Sequence, residues 1–301
     1  VKDIYATLRC GATMHIVPKK YFSLPKKLVH YLNEKRITCI DWVPSALCMI
    51  VNFRALDKEK PEYLKKVMFL GEVMPTKQFN MWRTALPEVR YANLYGPTEA
   101  TGDCTYYKIE REFEDSEPIP IGFACNNTEV LLLDGDTLVT EKDTIGEICV
   151  RGCSLAHGYF NNPEKTAEAI VRNPLQKNYY ERIYRTGDLG KYNAYGEIVF
   201  MARKDSQIKH MGHRIELGEI ETALSAVPGV RRGCCLYEHS TQKIVALFEG
   251  DRDTRELTEA LKEKLPGYML PNRFVVLEEM PINLNGKIDR TLLKQLYIKE
   301  K

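Results

Sequence analysis

Lys287 directly follows an Asn285-Gly286 pair, inside Pro281-Ile-Asn-Leu-Asn-Gly-Lys-Ile-Asp-Arg290. Asn-Gly is a tight-turn signal, and a lysine beside such a turn is a compact, flexible ammonium held near a fixed point. A group of that kind can neutralise charge building on a carboxylate and a phosphate that meet in one reaction. The same residues also describe an ordinary hairpin with a solvated lysine, so the reading depends on the rest of the chain. Three further stretches set glycine beside fixed polar groups. In Asn93-Leu-Tyr-Gly-Pro-Thr-Glu-Ala-Thr101, Gly96-Pro97 forces a tight turn. Thr98 and Glu99 follow it, a hydroxyl and a carboxylate suited to a phosphate oxygen and a Mg²⁺ ion, or simply a turn with a solvated glutamate. In Tyr184-Arg-Thr-Gly-Asp-Leu189, Asp188 can accept from both hydroxyls of a ribose or close an Asx-turn. Residues 202–221 form a long polar crossing, in which Arg203 can pair with ribose or phosphate oxygens or lace a linker with salt bridges.

Elements to position these groups are legible around them. Residues 12–17, 39–43 and 67–70 are short apolar strand candidates. Ser23 before Leu24-Pro25 reads as the N-cap of a helix with Leu28 and Leu32 on one face, and Pro75 opens another with Phe79, Trp82 and Leu86 inward. Strands alternating with helices predict a mostly parallel α/β subdomain over residues 1–105. From about Tyr106 the pattern turns to strands. Residues 129–133, an Asp134-Gly135 turn and 137–140 read as a hairpin, with further strands at 145–150 and 197–201 and a single helix after Asn162-Pro163. This predicts a β-barrel-like subdomain over 106–204. Beyond Asp205, Ile220, Leu224 and Val227 stand at helical spacing. Strands at 233–237 and 244–248 follow, then a helix from Thr254 with Leu257, Leu261 and Leu265, and a strand at 274–277. That order predicts a small α+β domain over 205–301.

Composition narrows the function classes. Of 301 residues, 43 are Lys or Arg and 41 Asp or Glu, giving a formal net charge of +2 that offers no general case for nucleic-acid binding. No apolar run approaches the roughly 20 residues that cross a bilayer, and the first residues lack the basic and apolar regions of a signal peptide. The nine cysteines contain no Cys-x-x-Cys pair, which fits reduced thiols in a cytoplasmic protein. Cys234 and Cys235 are adjacent and are expected on opposite sides of a strand.

The four polar stretches come in the order and at the spacing of the core motifs of nonribosomal peptide synthetase adenylation domains and D-alanine–carrier-protein ligases. The chain resembles that adenylate-forming, AMP-binding group over its whole length. Gly146-Glu-Ile-Cys-Val-Arg-Gly152 with Gly158-Tyr-Phe160, and Leu265-Pro-Gly-Tyr-Met-Leu-Pro271, match further motifs of the same set. The resemblance implies an amino acid activated by ATP and Mg²⁺ as an aminoacyl-adenylate, then passed to the phosphopantetheine thiol of a carrier protein. It implies that Tyr95 stacks on adenine with Asn93 near the amino group, and that Gly96 shapes the nucleotide turn. Thr98 and Glu99 serve the α-phosphate and Mg²⁺, while Asp188 holds the ribose with help from Arg203. Asp205 is the implied hinge of the small domain, Lys287 the catalytic lysine, and Lys209 part of the face shown in the thioester-forming state. Ala202 stands where the family usually has glycine.

By position, the family's side-chain pocket includes Lys2, Asp41, Met68, Leu70, Leu94, Gly102 and Asp103. Two acids and a lysine suggest a polar substrate side chain, unless Lys2 and an aspartate satisfy each other. Phe69-Leu-Gly-Glu-Val-Met-Pro75 resembles instead the D-alanine ligases, which favour a small substrate. The family's Gly/Ser/Thr-rich phosphate loop is not found in the sequence, and the aspartate that clamps the substrate amine falls before Val1. The chain is therefore expected to be the C-terminal part of such an enzyme, impaired in isolation, with a sheet edge that expects a partner. An acyl- or aryl-CoA ligase of the same superfamily, and a non-catalytic module that holds AMP or a carrier protein, are the other readings.

Overall fold

A computed structural model describes residues 2–204, 207–282 and 288–298. The chain divides into two compact units, Val1–Lys204 and Asp205–Lys301.

The first unit holds two sheets. Helices α1 (Lys2–Arg9), α2 (Pro25–Glu34), α3 (Pro44–Asn52) and α4 (Thr76–Ala85) accompany strands β1 (Cys39–Trp42), β2 (Lys66–Phe69) and β3 (Arg90–Tyr95), which pair in parallel. Strands β4 (Thr105–Lys108) and β5 (Phe123–Ala124) continue this sheet antiparallel. Period-2 alternation sorts its faces. Val67 and Phe69 of β2 are buried with Leu28 and Leu32 of α2, Leu47 and Ile50 of α3, and Phe79 and Trp82 of α4. Between them Met68 turns to the opposite face, where it is only half buried. The Trp82 indole N–H donates to Leu47 O at 2.9 Å, tying α4 to α3 inside that core. Residues 12–17 are not a strand: they lie outside every regular element and are largely exposed. Helix α2 begins at Pro25 with Leu24 as its cap and no side-chain cap bond, while Ser23 ends a short 3₁₀ turn. Proline in the first turn fixes φ for helix entry, and Ser23 lies one residue before the cap position.

The second sheet is antiparallel. It contains β6 (Thr128–Asp134), β7 (Thr137–Leu138), β8 (Gly146–Gly152), β9 (Ile170–Arg172), β10 (Arg182–Tyr192) and β11 (Ile198–Arg203), in the order β11-β10-β8-β6-β7 with β9 beside β10. Its two ends do not pair among the described residues, so the predicted barrel is an open half-barrel. Helix α5 (Pro163–Ala169) is capped by the Asn162 side chain, which accepts from Lys165 N. Strand β10 was not legible as a strand: glycines and charges interrupt its 11 residues, and the ladder slips between Arg185 and Leu189 on β8.

The second unit opens with a hairpin, β12 (Gln207–His210) and β13 (His213–Glu216), followed by α6 (Leu217–Ser225). Strands β14 (Val230–Glu238) and β15 (Lys243–Gly250) pair antiparallel, and β16 (Arg273–Leu277) joins β15 in parallel after α7 (Thr254–Lys262). Helix α8 (Arg290–Tyr297) is capped by Asp289, which accepts from Leu292 N. The adjacent Cys234 and Cys235 point into different cores, the first beside Leu277 and Leu293, the second beside Ile220 and Leu257. Glu221 of α6 accepts Arg290 Nη2 and Cys235 N, each at 2.6 Å, and so joins α6, β14 and α8. Replacing Glu221 with Ala removes both bonds and leaves the Cys235 N–H unpartnered. A loss of about 1–3 kcal/mol in the urea unfolding of this unit is expected; a midpoint equal to the parent's would contradict that joint.

All nine cysteines are free thiols. Cys149 and Cys234 have no exposed surface, and burial pushes both thiols up to about 12. At pH 8 a thiol reagent should therefore label the exposed Cys10, Cys39 and Cys153 in the native protein and reach Cys149 and Cys234 only in denaturant. Peptide mapping of the native labelling reads this directly.

Candidate functional site

The site grows from the C-terminal end of β3. Tyr95 closes the strand, and Gly96 must be glycine: a Cβ there would stand 1.7 Å from Gly102 O and 2.7 Å from Cys104 N. The chain folds tightly back on itself at this point, and a short 3₁₀ turn, Thr98–Ala100, rides on it. Thr98 is exposed, whereas Glu99 is 8 % exposed. Thr101 takes the left-handed conformation at φ 60°, unusual for a β-branched residue, and its hydroxyl donates to Ser154 O at 2.6 Å. The Tyr159 hydroxyl donates to Glu99 Oε1 at 2.5 Å. Burial, and then the Glu99 carboxylate it donates to, push the Tyr159 phenol well above its ordinary range.

Asp188 lies on β10 directly opposite Arg203 of β11 in the antiparallel register. That pairing makes an ion pair of the two, with the Asp188 side chain 2 % exposed and Arg203 11 %. The Tyr95 hydroxyl donates to the other Asp188 oxygen, Oδ2, at 2.5 Å. Burial, followed by the neighbouring carboxylate, holds the Tyr95 phenol far above its normal range, so it remains a donor. Thr186 Oγ1 accepts Asp188 N and donates to Ile148 O, and Glu147 accepts Gly187 N at 3.0 Å. Those bonds fix the irregular stretch of β10 from which the carboxylate projects.

A second cluster lies on the face of the first sheet turned away from α2, α3 and α4. Asp41 of β1 is opposite Met68 of β2, and Met68 is opposite Ala92 of β3. Leu94 lies two residues beyond Ala92 and so shares its face. Lys2, from α1, pairs with Asp41 Oδ2 at 2.7 Å and Asp103 Oδ2 at 2.8 Å. Burial opposes the Lys2 ammonium, but the two carboxylates outweigh it and hold Lys2 above its ordinary range. Burial likewise raises Asp41 against the pull of Lys2. Asp41 Oδ1 and Asp103 Oδ1 are buried without a hydrogen-bond partner.

The fold thus gathers the expected residues into three groups: Tyr95, Asp188 and Arg203; Glu99 on the Gly96 turn; and Lys2, Asp41 and Asp103 beside Met68 and Leu94. Two of the expected residues are also bound within the fold. The Tyr95 residue is 4 % exposed and engages Asp188 through its hydroxyl. Asn93 is 6 % exposed and donates its amide to Pro120 O at 2.8 Å, tying β3 to the loop before β5. Lys209 lies on β12 of the second unit, opposite Arg214. Lys287 and Asp205 fall outside the described residues. No role was expected of Tyr159, Thr186 or Glu147, although all three lie within the motifs quoted above. Nothing local in the sequence ties Tyr159 to a carboxylate 60 residues away.

The donor set fits a nucleotide-borne Mg²⁺. Among the described residues no group of three or more His, Cys, Asp or Glu could hold a metal. One buried carboxylate on a turn suits an ion that keeps waters and takes its other ligands from phosphates. A cavity of about 550 Å³ elsewhere on this unit is lined by Arg172, Asn173, Gln176 and Lys177 among others, and none of the candidate nucleotide or substrate residues borders it.

Residues 1–160 match the AMP-binding enzyme family. The chain is 38 % identical over 301 residues to tyrocidine synthase 3 of Brevibacillus parabrevis, a match covering 97 % of this chain and 4 % of that protein. Among solved structures it is similar to IdnL1, with a TM-score of 0.80 and 31 % identity over 90 % of this chain and 56 % of that one. It is also similar to holo-PA1221, an NRPS protein containing adenylation and PCP domains bound to a vinylsulfonamide inhibitor. There the TM-score is 0.76 and the identity 27 %, over 90 % of this chain and 47 % of that one. The chain therefore spans about half the length of these solved relatives, and far less of the synthase. No helix among the described residues is long and apolar enough to cross a membrane.

Proposed function

Because the chain belongs to the AMP-binding enzyme family, we propose that it supplies the ribose-, metal- and side-chain-facing residues of an enzyme that activates an amino acid as aminoacyl-AMP. The acyl group then passes to the phosphopantetheine thiol of a carrier protein, a partner suggested by the adenylation and PCP domains that share one chain in holo-PA1221. The observation that carries the reading is the Asp188 carboxylate, buried between the Tyr95 hydroxyl and the Arg203 guanidinium. A carboxylate held this way is a preorganised acceptor for a vicinal diol, which a ribose presents. Asp188, assisted by Arg203, holds the sugar; Thr98 faces the α-phosphate and Glu99 the Mg²⁺. The ion's contribution, when bound, is charge neutralisation at the phosphates. Lys287 meets the substrate carboxylate and α-phosphate, Asp205 serves as the hinge, and Lys209 belongs to the thioester-forming face.

The Lys2–Asp41–Asp103 cluster bears on the substrate. Lys2 is ion-paired with both aspartates, and a second oxygen of each carboxylate is buried without a hydrogen-bond partner. Such acceptors penalise an apolar side chain and favour one carrying N–H or O–H donors. Met68, Leu70, Leu94 and Gly102 complete the walls.

Amino-acid-dependent ATP–pyrophosphate exchange by the polypeptide carrying this sequence, screened across side chains, tests the reading. Exchange with a donor-bearing amino acid supports it. Exchange driven by fatty or aryl acids, with the acyl group of the adenylate passing to CoA and AMP released when CoA is added, would replace it, and AMP binding without exchange would leave a binding module.

A further inference from the structure

The Gly158-Tyr159-Phe160 stretch has no role in the reading so far, yet its tyrosine reaches the metal-facing turn. We propose that Tyr159 is a positioning residue: its hydroxyl fixes the Glu99 carboxylate in the orientation that meets nucleotide-borne Mg²⁺, a role that rests on the adenylation reading above. The contact is a 2.5 Å bond to Glu99 Oε1, a charge-assisted hydrogen bond of the stronger class. Glu99 is 8 % exposed, so bulk water does not hold its rotamer.

Three bonds lock the two segments together. Ala156 N donates to Glu99 O at 2.8 Å, Thr101 Oγ1 donates to Ser154 O at 2.6 Å, and the tyrosine bond is the third. The loop is itself braced. Tyr159 N donates to Thr166 Oγ1 at 2.9 Å, and that hydroxyl donates to the O of Asn162, the N-cap of α5. Gly158 has φ +156°, and a Cβ there would stand 2.6 Å from the Thr166 side chain, so the close approach needs glycine. The two aromatics of the stretch behave oppositely: Phe160 is 94 % exposed, while Tyr159 turns inward beneath the Lys165 ammonium, 5.3 Å from its ring centre. Packing alone would be served by a phenyl ring. The hydroxyl is what reaches Glu99.

Tyr159→Phe keeps the ring and removes only the O–H. Groups that orient a metal ligand change metal affinity by about 10- to 100-fold when lost. ATP binding to the polypeptide carrying this sequence would be measured by calorimetry at rising Mg²⁺, alongside adenosine binding and thermal melting. The expected result is a Mg²⁺ requirement about tenfold higher in Y159F, with adenosine affinity unchanged and melting lowered by no more than a few degrees, the scale of one lost hydrogen bond. In a Glu99→Gln background, Y159F should add nothing further. A Mg²⁺ requirement equal to the parent's, or an equal fall in adenosine affinity, overturns the positioning role alone. ATP binding that ignores Mg²⁺ in the parent protein overturns the assignment of Glu99 and this role together.

Discussion

Replacing Lys287 with alanine is expected to lower amino-acid-dependent ATP–pyrophosphate exchange by about 10² or more, the scale of losing one preorganised electrostatic donor. In the proposed reaction a carboxylate attacks a phosphate, so two anions approach and charge concentrates between them. A lysine that arrives at that point lowers the barrier more than it tightens the ground state, and the loss should fall mainly on kcat. The described residues on either side of it are tied within the fold: Ile282 and Ile288 bridge, Asp289 N donates to Pro281 O at 2.9 Å, and Arg290 is bound to Glu221. Lys287→Arg should rescue poorly, because a planar guanidinium on a different stem does not place its charge at the same point. Exchange at the parent rate in Lys287→Ala would remove the catalytic assignment.

What the sequence disclosed depended on how local each determinant is. Helix α4 and the Asp134-Gly135 hairpin were legible because proline placement, apolar spacing and turn residues lie within one element. Strands β1 and β2 were legible as short apolar runs. Strand β10 was not, since Arg185, Thr186, Gly187 and Asp188 read as a polar turn; only the ladder to β8 and β11 makes that stretch a strand. Helix α3 follows a strand candidate through Pro44 and is apolar on most sides, so no period marked it. The site divides the same way. Motif order brought out Glu99, Asp188 and Arg203, but the partners of Tyr95, Tyr159 and Asn93 are set by strand register and loop packing across tens of residues. The hydroxyl bond from Tyr95 to Asp188, 93 residues away, is one such partner.

The second large effect is expected at Asp188, where stability and ligand binding can be separated. Asp188→Ala leaves the Arg203 guanidinium, 11 % exposed, without its carboxylate. Stranding one member of a buried ion pair costs about 3–5 kcal/mol, so the first unit should unfold at clearly lower denaturant. Arg203→Ala strands the other member, leaving a 2 % exposed carboxylate with the Tyr95 hydroxyl. The double variant removes both charges together. It should therefore lose much less stability than the sum of the two singles, a coupling that only a directly interacting pair produces. Nucleotide binding should not follow stability. With no acceptor for the ribose hydroxyls, AMP affinity should fall by about 10- to 100-fold in Asp188→Ala, on the scale of a hydrogen bond to a charged group, and remain low in the double variant. Parallel unfolding curves and AMP titrations on the three variants distinguish the outcomes. Additive stability losses would mean that the ion pair is not the source of the effect. Recovery of AMP affinity in the double variant would mean that Asp188 shapes the strand rather than holding the sugar.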